Sequence, residues 1–148
     1  MTTYFIQVLT GVIGSIGFAL IFNLKRAQIP YIIVGSGIGT AVYLFVYHFT
    51  QSAFLSNMLA SVFCTASAEI LARIRKAPAT SFLIIHIIPL VPGGSLFYSM
   101  RSFILHDNEA FVRYATSTFY TAAGIAVGIL IVTSFVSILN HSKKTQTN

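Results

Sequence analysis

The segment Ile84-Ile-His-Ile-Ile-Pro-Leu-Val-Pro-Gly-Gly-Ser95 gathers the residues best suited to chemistry. Pro89 and Pro92 remove two helix donors and clash with the carbonyls four residues back. Gly93 and Gly94 add backbone freedom. A helix broken here offers its loose carbonyls to cations and the N–H groups of its second half to anions. Ser95 falls near the start of that second half, within reach of a carboxylate. The competing reading is a plain kink packed on a neighbour, since Pro and Gly are common in membrane helices. A second constellation is Asn57, Ser61, Thr65 and Glu69, which recur at i+4 and share one winding helix face, with Ser67 and Cys64 close to it. Glu69 suits proton coupling, or else a local ion pair with Arg73 four residues on. His86 suits proton relay or carboxylate binding, or else a hydrogen bond to a neighbouring helix.

The elements that must position these residues follow from composition. Of 148 residues, 55% are hydrophobic, and only twelve are charged: nine Lys or Arg and three Asp or Glu. A soluble domain of this length carries about 37 charged residues. Twelve are too few to wet a soluble surface, and so apolar a chain is not disordered. The charges are clustered, and residues 1–24, 27–68, 77–100 and 114–142 carry none. A membrane helix needs about 20 apolar residues. The longest run holds two spans, parted at His48-Phe-Thr-Gln-Ser52.

The expectation is an all-α polytopic membrane protein, one integral domain over residues 1–148. Five spans are expected, at about 4–24, 31–49, 53–72, 81–105 and 114–139, with the fourth broken at its Pro/Gly segment. No barrel-type alternation appears. A signal peptide competes for the first span, but no Lys or Arg precedes Tyr4, and Lys25-Arg26 follow the apolar run. The first helix is therefore read as retained.

Orientation follows the excess of Lys and Arg. Lys25, Arg26, Arg73, Arg75, Lys76, Lys143 and Lys144 fall on one side; Arg101 and Arg113 fall on the other. The seven are expected in the cytoplasm, with the N-terminus out and the C-terminus in. If residues 81–105 formed a re-entrant hairpin, the count would again be seven against two. Length favours crossing, because 25 helical residues rise about 37 Å. Tyr4, Tyr31, Tyr47 and Tyr114 fall near span ends, where aromatic rings prefer the interface.

The net charge of +6 is explained by this asymmetry and needs no nucleic acid. No HxxxH, CxxC or carboxylate pair points to a metal, and no cofactor is expected. His48, His106 and His141 sit at membrane edges. The lone Cys64 cannot form an intrachain disulfide. Gly35-Ser-Gly37-Ile-Gly39 lacks the preceding strand and following acid of a dinucleotide loop. Gly35xxxGly39 and Gly124xxxGly128 read instead as close helix packing, a role that also suits Gly11, Gly14 and Gly17. An enzyme is not expected, because no nucleophile–base pair is visible, and Asp107 and Glu109 sit in a short loop.

Three stretches resemble a known family. They are Gly17-Phe-Ala-Leu-Ile-Phe-Asn23, Glu69-Ile-Leu-Ala-Arg73 with Lys76-Ala-Pro-Ala-Thr80, and Ile88-Pro-Leu-Val-Pro-Gly-Gly-Ser-Leu-Phe-Tyr-Ser-Met100. They look like the small subunit of the threonine/serine exporter family, from about Gly17 to the fifth helix. The resemblance implies a larger membrane subunit as partner, and export of threonine and serine or of a dicarboxylate such as succinate. The expected function is a subunit of a two-component exporter in the cytoplasmic (inner) membrane, coupled to an ion gradient. The substrate carboxylate would meet Pro89, Pro92, Gly93, Gly94 and Ser95; Asn57, Ser61 and Thr65 would line the path; Glu69 or His86 would handle a proton. The alternative is a non-transporting scaffold, which needs the glycine faces but not the polar stripe.

Overall fold

The structure, a computed structural model of the chain, describes residues 2–145, with side chains over residues 5–139. Tyr4, His141, Lys143 and Lys144, used in the topology reading, have side chains outside that range. The described chain is all-α. Its helices are α1 (Thr2–Ile21), α2 (Ile29–Thr50), α3 (Ala53–Arg75), α4 (Ala79–Ile87), α5 (Gly93–Ile104) and α6 (Asn108–Thr145). Single 3-10 turns, Arg26–Gln28 and Ile88–Leu90, precede α2 and follow α4.

The helix ends are closed by backbone chemistry that the apolar pattern does not mark. Asn23, Gln51, Lys76 and His106 take positive φ between 50° and 57° just past α1, α2, α3 and α5. After α1, Asn23 N–H donates to the Leu20 carbonyl and Leu24 N–H to the Ala19 carbonyl, both at 3.0 Å, so α1 stops short of Leu24. Ser52 caps α3, its hydroxyl accepting from Leu55 N–H. Asp107 caps α6 by accepting from Ala110 N–H at 3.0 Å. Glu109 therefore lies in the first turn of α6 and not in a loop, where its charge suits the helix dipole.

Three described helices are long and apolar enough to cross a membrane: Arg26–Thr50, Ala53–Arg75 and Asn108–Leu139. The pair Ala79–Leu90 and Gly93–Ile104 makes a fourth if taken as one span bent by 56°. At 1.5 Å per residue the two halves, with that bend, advance about 28 Å, close to the thickness of a hydrocarbon core. In α1 the apolar stretch Phe5–Ile21 is shorter.

Polarity is inverted relative to a water-soluble fold. Ser15, Ser36, Ser56, Asn57, Ser61, Thr65 and His86 are buried, while Phe5, Phe45, Phe97, Phe119 and Phe135 are each more than 60% exposed. Apolar surface outside and small polar residues between helices is what lipid requires. Helix α3 is central and packs on α2, α4 and α6; α1 lies on α2 and on the broken segment; α5 lies along α6. Small α3 residues, Ala60, Cys64, Ala68 and Ala72, permit the close approach.

Glycine does the same from the facing helices. A Cβ on Gly124 would come within 2.5 Å of the Phe54 carbonyl oxygen. One on Gly128 would overlap the Ser61 hydroxyl and lie 2.5 Å from the Met58 carbonyl oxygen. Gly35 makes room for the His86 ring and Gly39 for the Cys64 sulfur. Gly11 faces Pro89, whereas a Cβ on Gly14 or Gly17 would meet nothing within 4 Å among the described residues.

Candidate functional site

The broken helix is stabilised at one end and left open at the other. Pro89 has no N–H to give the Ile85 carbonyl. Ser15 on α1 shares its one hydroxyl proton between that oxygen, at 3.3 Å, and the Gly11 carbonyl of its own helix, at 3.0 Å. Cys64 on α3 donates to the His86 carbonyl at 3.5 Å. The Ile88 carbonyl, which Pro92 cannot serve, accepts from Val91 N–H at 3.2 Å. Bare carbonyls in hydrocarbon cost several kcal/mol each, and these contacts remove that cost.

At the start of α5 the balance differs. Pro92 is the cap residue and makes no side-chain cap. Gly93 N–H donates to the Val91 carbonyl at 2.8 Å, and Leu96 N–H to the Pro92 carbonyl at 3.0 Å. Helix geometry leaves Gly94 N–H and Ser95 N–H without intrahelical acceptors. Gly93 and Gly94 themselves are exposed, have no positive φ, and would carry a Cβ in open space.

Beside this end is a half-open cavity of about 250 Å³, bordered by α2, α3, the break and α6; Ser95 lines it, and Gly93 and Gly94 do not. Its walls are Tyr43, Tyr47, Ala53, Asn57, Pro89, Leu90, Val91, Pro92, Ser95, Ser117 and Thr121. The structure thus brings Asn57 together with Pro89, Pro92 and Ser95, four of the residues singled out from sequence. The Asn57 amide spends one N–H on its own helix, on the Ala53 carbonyl at 2.7 Å, which leaves its second N–H and its side-chain oxygen for a ligand. Ser61 and Thr65 lie deeper on α3 and outside the cavity walls. Each donates to α3 itself, Ser61 to the Met58 carbonyl at 2.9 Å and Thr65 to the Ser61 carbonyl at 2.7 Å.

His86 is fully buried between α2 and α3. Its Nδ1 is 3.2 Å from the Ser67 hydroxyl, and its Nε2 has no hydrogen-bond partner. Glu69 is half-buried, two turns below Ser61 on α3 and toward the end that carries Arg73 and Arg75. Neither residue reaches the cavity wall. Among the described residues, no group of three or more His, Cys, Asp or Glu could hold a metal.

Sequence reasoning missed Tyr43, Ser117, Thr121 and Ser15, and read Tyr47 only as a ring at a span end. The i+4 rule that found the α3 stripe also applies to Tyr43/Tyr47 and Ser117/Thr121. The two tyrosine rings stack at 5.8 Å. No spacing rule points to Ser15, which acts on a carbonyl seventy residues away.

A family model described as "Threonine/Serine exporter, ThrE" matches residues 7–135. The chain belongs to this exporter family. The match runs from α1 into the second half of α6 and so contains the break and the whole cavity wall. The exporter family is a transport class, and with the apolar exterior it makes the chain a multi-pass membrane protein. No solved structure matches the exporter chain.

Proposed function

We propose that this chain is the small membrane subunit of a two-component exporter, acting with a larger membrane subunit of the same family. It carries small carboxylate-bearing metabolites outward: threonine and serine, or a dicarboxylate such as succinate. The observation that carries this reading is Ser95, in the open first turn of α5, on the wall of a half-open cavity of about 250 Å³. That volume suits a metabolite of a few heavy atoms and is small for a drug-sized ligand.

The carboxylate binds the N–H groups of Gly94 and Ser95 with the Ser95 hydroxyl, at the positive end of the α5 dipole. The Asn57 oxygen and the Tyr43, Ser117 and Thr121 hydroxyls receive the ammonium or hydroxyl groups of the substrate. Pro89 and Pro92 hold the gap in shape. Ser61 and Thr65 act as path residues only when the α3–α6 seam opens. Outward movement is coupled to an ion gradient, with His86 or Glu69 handling a proton. His86 is the better placed, because its Nε2 is buried without a partner and its ring lies one turn before Pro89.

The protein sits in the cytoplasmic membrane with its Lys- and Arg-rich loops inside, the N-terminus out and the C-terminus in. The cavity lies in the half away from Lys25 and Arg75, and Phe82, Ile85 and Ala68 fill the other half. With that orientation the cavity would face outward. The test is efflux of labelled threonine, serine and succinate from loaded cells that carry the larger subunit with or without this chain. Export that requires both chains supports the reading. Full export without this chain returns it to a scaffold.

A further inference from the structure

A second cavity, of about 560 Å³, lies at the opposite end of the bundle, between the α1–α2 and α3–α4 connections. Lys25, Arg75 and Lys76 line it, with Ser81 at the start of α4. No Asp or Glu is among its walls. Arg75 is fixed in place: one guanidinium nitrogen donates to the Ala27 carbonyl at 3.2 Å, and the group stands over the Tyr31 ring at 4.8 Å. Lys76 is set at its position by the left-handed close of α3. Helix α4 begins at the same cavity with Pro78 as its cap, and Ser81 N–H donates to the Pro78 carbonyl at 3.2 Å, which leaves the Ser81 hydroxyl as the polar group that α4 adds to the wall.

Three cations and no carboxylate make a site for a pure anion. A zwitterionic amino acid would leave its ammonium unmatched there. Phe22 and Ile74 line the same cavity and are 53% and 65% exposed, so an apolar shelf adjoins the charged floor. The cavity also sits at the ends of α1 and α3, at headgroup depth. Basic pockets between membrane helices at this depth take lipid headgroups.

We infer that this cavity binds the phosphate group of an acidic phospholipid, with the acyl chains running along Phe22 and Ile74. It is independent of the α5 cavity and of what that cavity carries. Bound lipid ties the α1–α2 connection to the α3–α4 connection and so braces the end of the bundle that the broken helix enters.

The test uses the full chain purified in neutral detergent. It is titrated with dioctanoyl phosphatidylglycerol, dioctanoyl phosphatidylcholine or inorganic phosphate, reading the thermal midpoint and the adducts seen by native mass spectrometry. Phosphatidylglycerol should raise the midpoint and give a one-to-one adduct, and phosphatidylcholine should do neither. Lys25→Gln with Lys76→Asn should weaken phosphatidylglycerol binding by about tenfold or more. Asn is chosen at 76 because it tolerates the left-handed backbone. Arg101→Gln, at the other end of the bundle, should change nothing. A readout that needs no variant is salt: going from about 0.1 M to about 1 M shortens the screening length from about 10 Å to about 3 Å and should erase the preference. Equal effects of the two lipids, or an unweakened double variant, would overturn the site. An inorganic phosphate shift equal to that of the lipid would assign a free anion and overturn the lipid.

Discussion

Replacing Gly128 by Ala adds one methyl where α6 lies on α3. The new carbon would overlap the Ser61 hydroxyl, lie 2.5 Å from the Met58 carbonyl oxygen and 3.1 Å from Val62 N. Ser61 can rotate, but the other two atoms are backbone of the central helix. Relief requires α6 to retreat by a little under about 1 Å, and a gap of that size forfeits a quarter to a half of the dispersion attraction along the seam. Overpacking of this kind costs about 1–3 kcal/mol. Gly124→Ala meets the Phe54 carbonyl oxygen at 2.5 Å on the same seam. One retreat accommodates both methyls, so the double variant should cost less than the sum of the singles. Ser61→Ala should not rescue Gly128→Ala, because the Met58 carbonyl remains. Gly39→Ala is the contrast: it meets only the Cys64 sulfur, and Cys64→Ala should restore most of its loss. Gly14→Ala, in open space, should be neutral or stabilising by up to about 1 kcal/mol. Unfolding by added anionic detergent, followed by circular dichroism, measures the series. A Gly128→Ala protein as stable as wild type, with Gly14→Ala alike, would refute the backbone contact between α3 and α6.

Three further outcomes are expected. Ser15→Ala should cost up to about 1 kcal/mol in the same unfolding assay, because the Ile85 carbonyl freed by Pro89 loses its share of the cross-helix hydroxyl proton; an unchanged midpoint would contradict that cross-helix bond. Gln51→Gly should stabilise by about 1 kcal/mol, since a side chain at φ 50° is removed from the α2–α3 turn; destabilisation would contradict the left-handed cap. Gly93→Ala with Gly94→Ala should fold and reach the membrane at wild-type level, because both residues are helical with space for a methyl; loss of folded protein would contradict that geometry.

The all-α fold, the turn at His48–Ser52 and the break after His86 were legible because each rests on local chemistry: apolar run length, a polar cluster, and prolines that cannot donate. The gathering of Asn57 with Ser95 was half legible. Each residue stood out as polar within an apolar span, but their meeting depends on how α3 crosses the fourth segment. Ser61 and Thr65 share the Asn57 face, yet the cavity ends above them, because Gly128 brings α6 down onto Ser61. Helix endings were not legible. Asn23, Gln51, Lys76 and His106 close helices in a conformation usually left to glycine, while the described glycines serve packing or have open space. Ser15 was invisible because its role depends on a proline in another helix.

The central claim is that the first turn of α5 receives a substrate carboxylate, and Ser95→Asp tests it most directly. A carboxylate fixed at this position favours the helix through its dipole, so folding and membrane level should hold. The same carboxylate occupies the site meant for the substrate and repels any that approaches. Efflux of the wild-type substrate is measured at equal protein level, with the larger subunit present, for Ser95→Asp, Ser95→Asn and Ser95→Ala. The account predicts near-complete loss for Asp, with partial loss for Asn and Ala, which remove or reshape one hydrogen bond worth about 1 kcal/mol. Wild-type export by the Asp variant would contradict it.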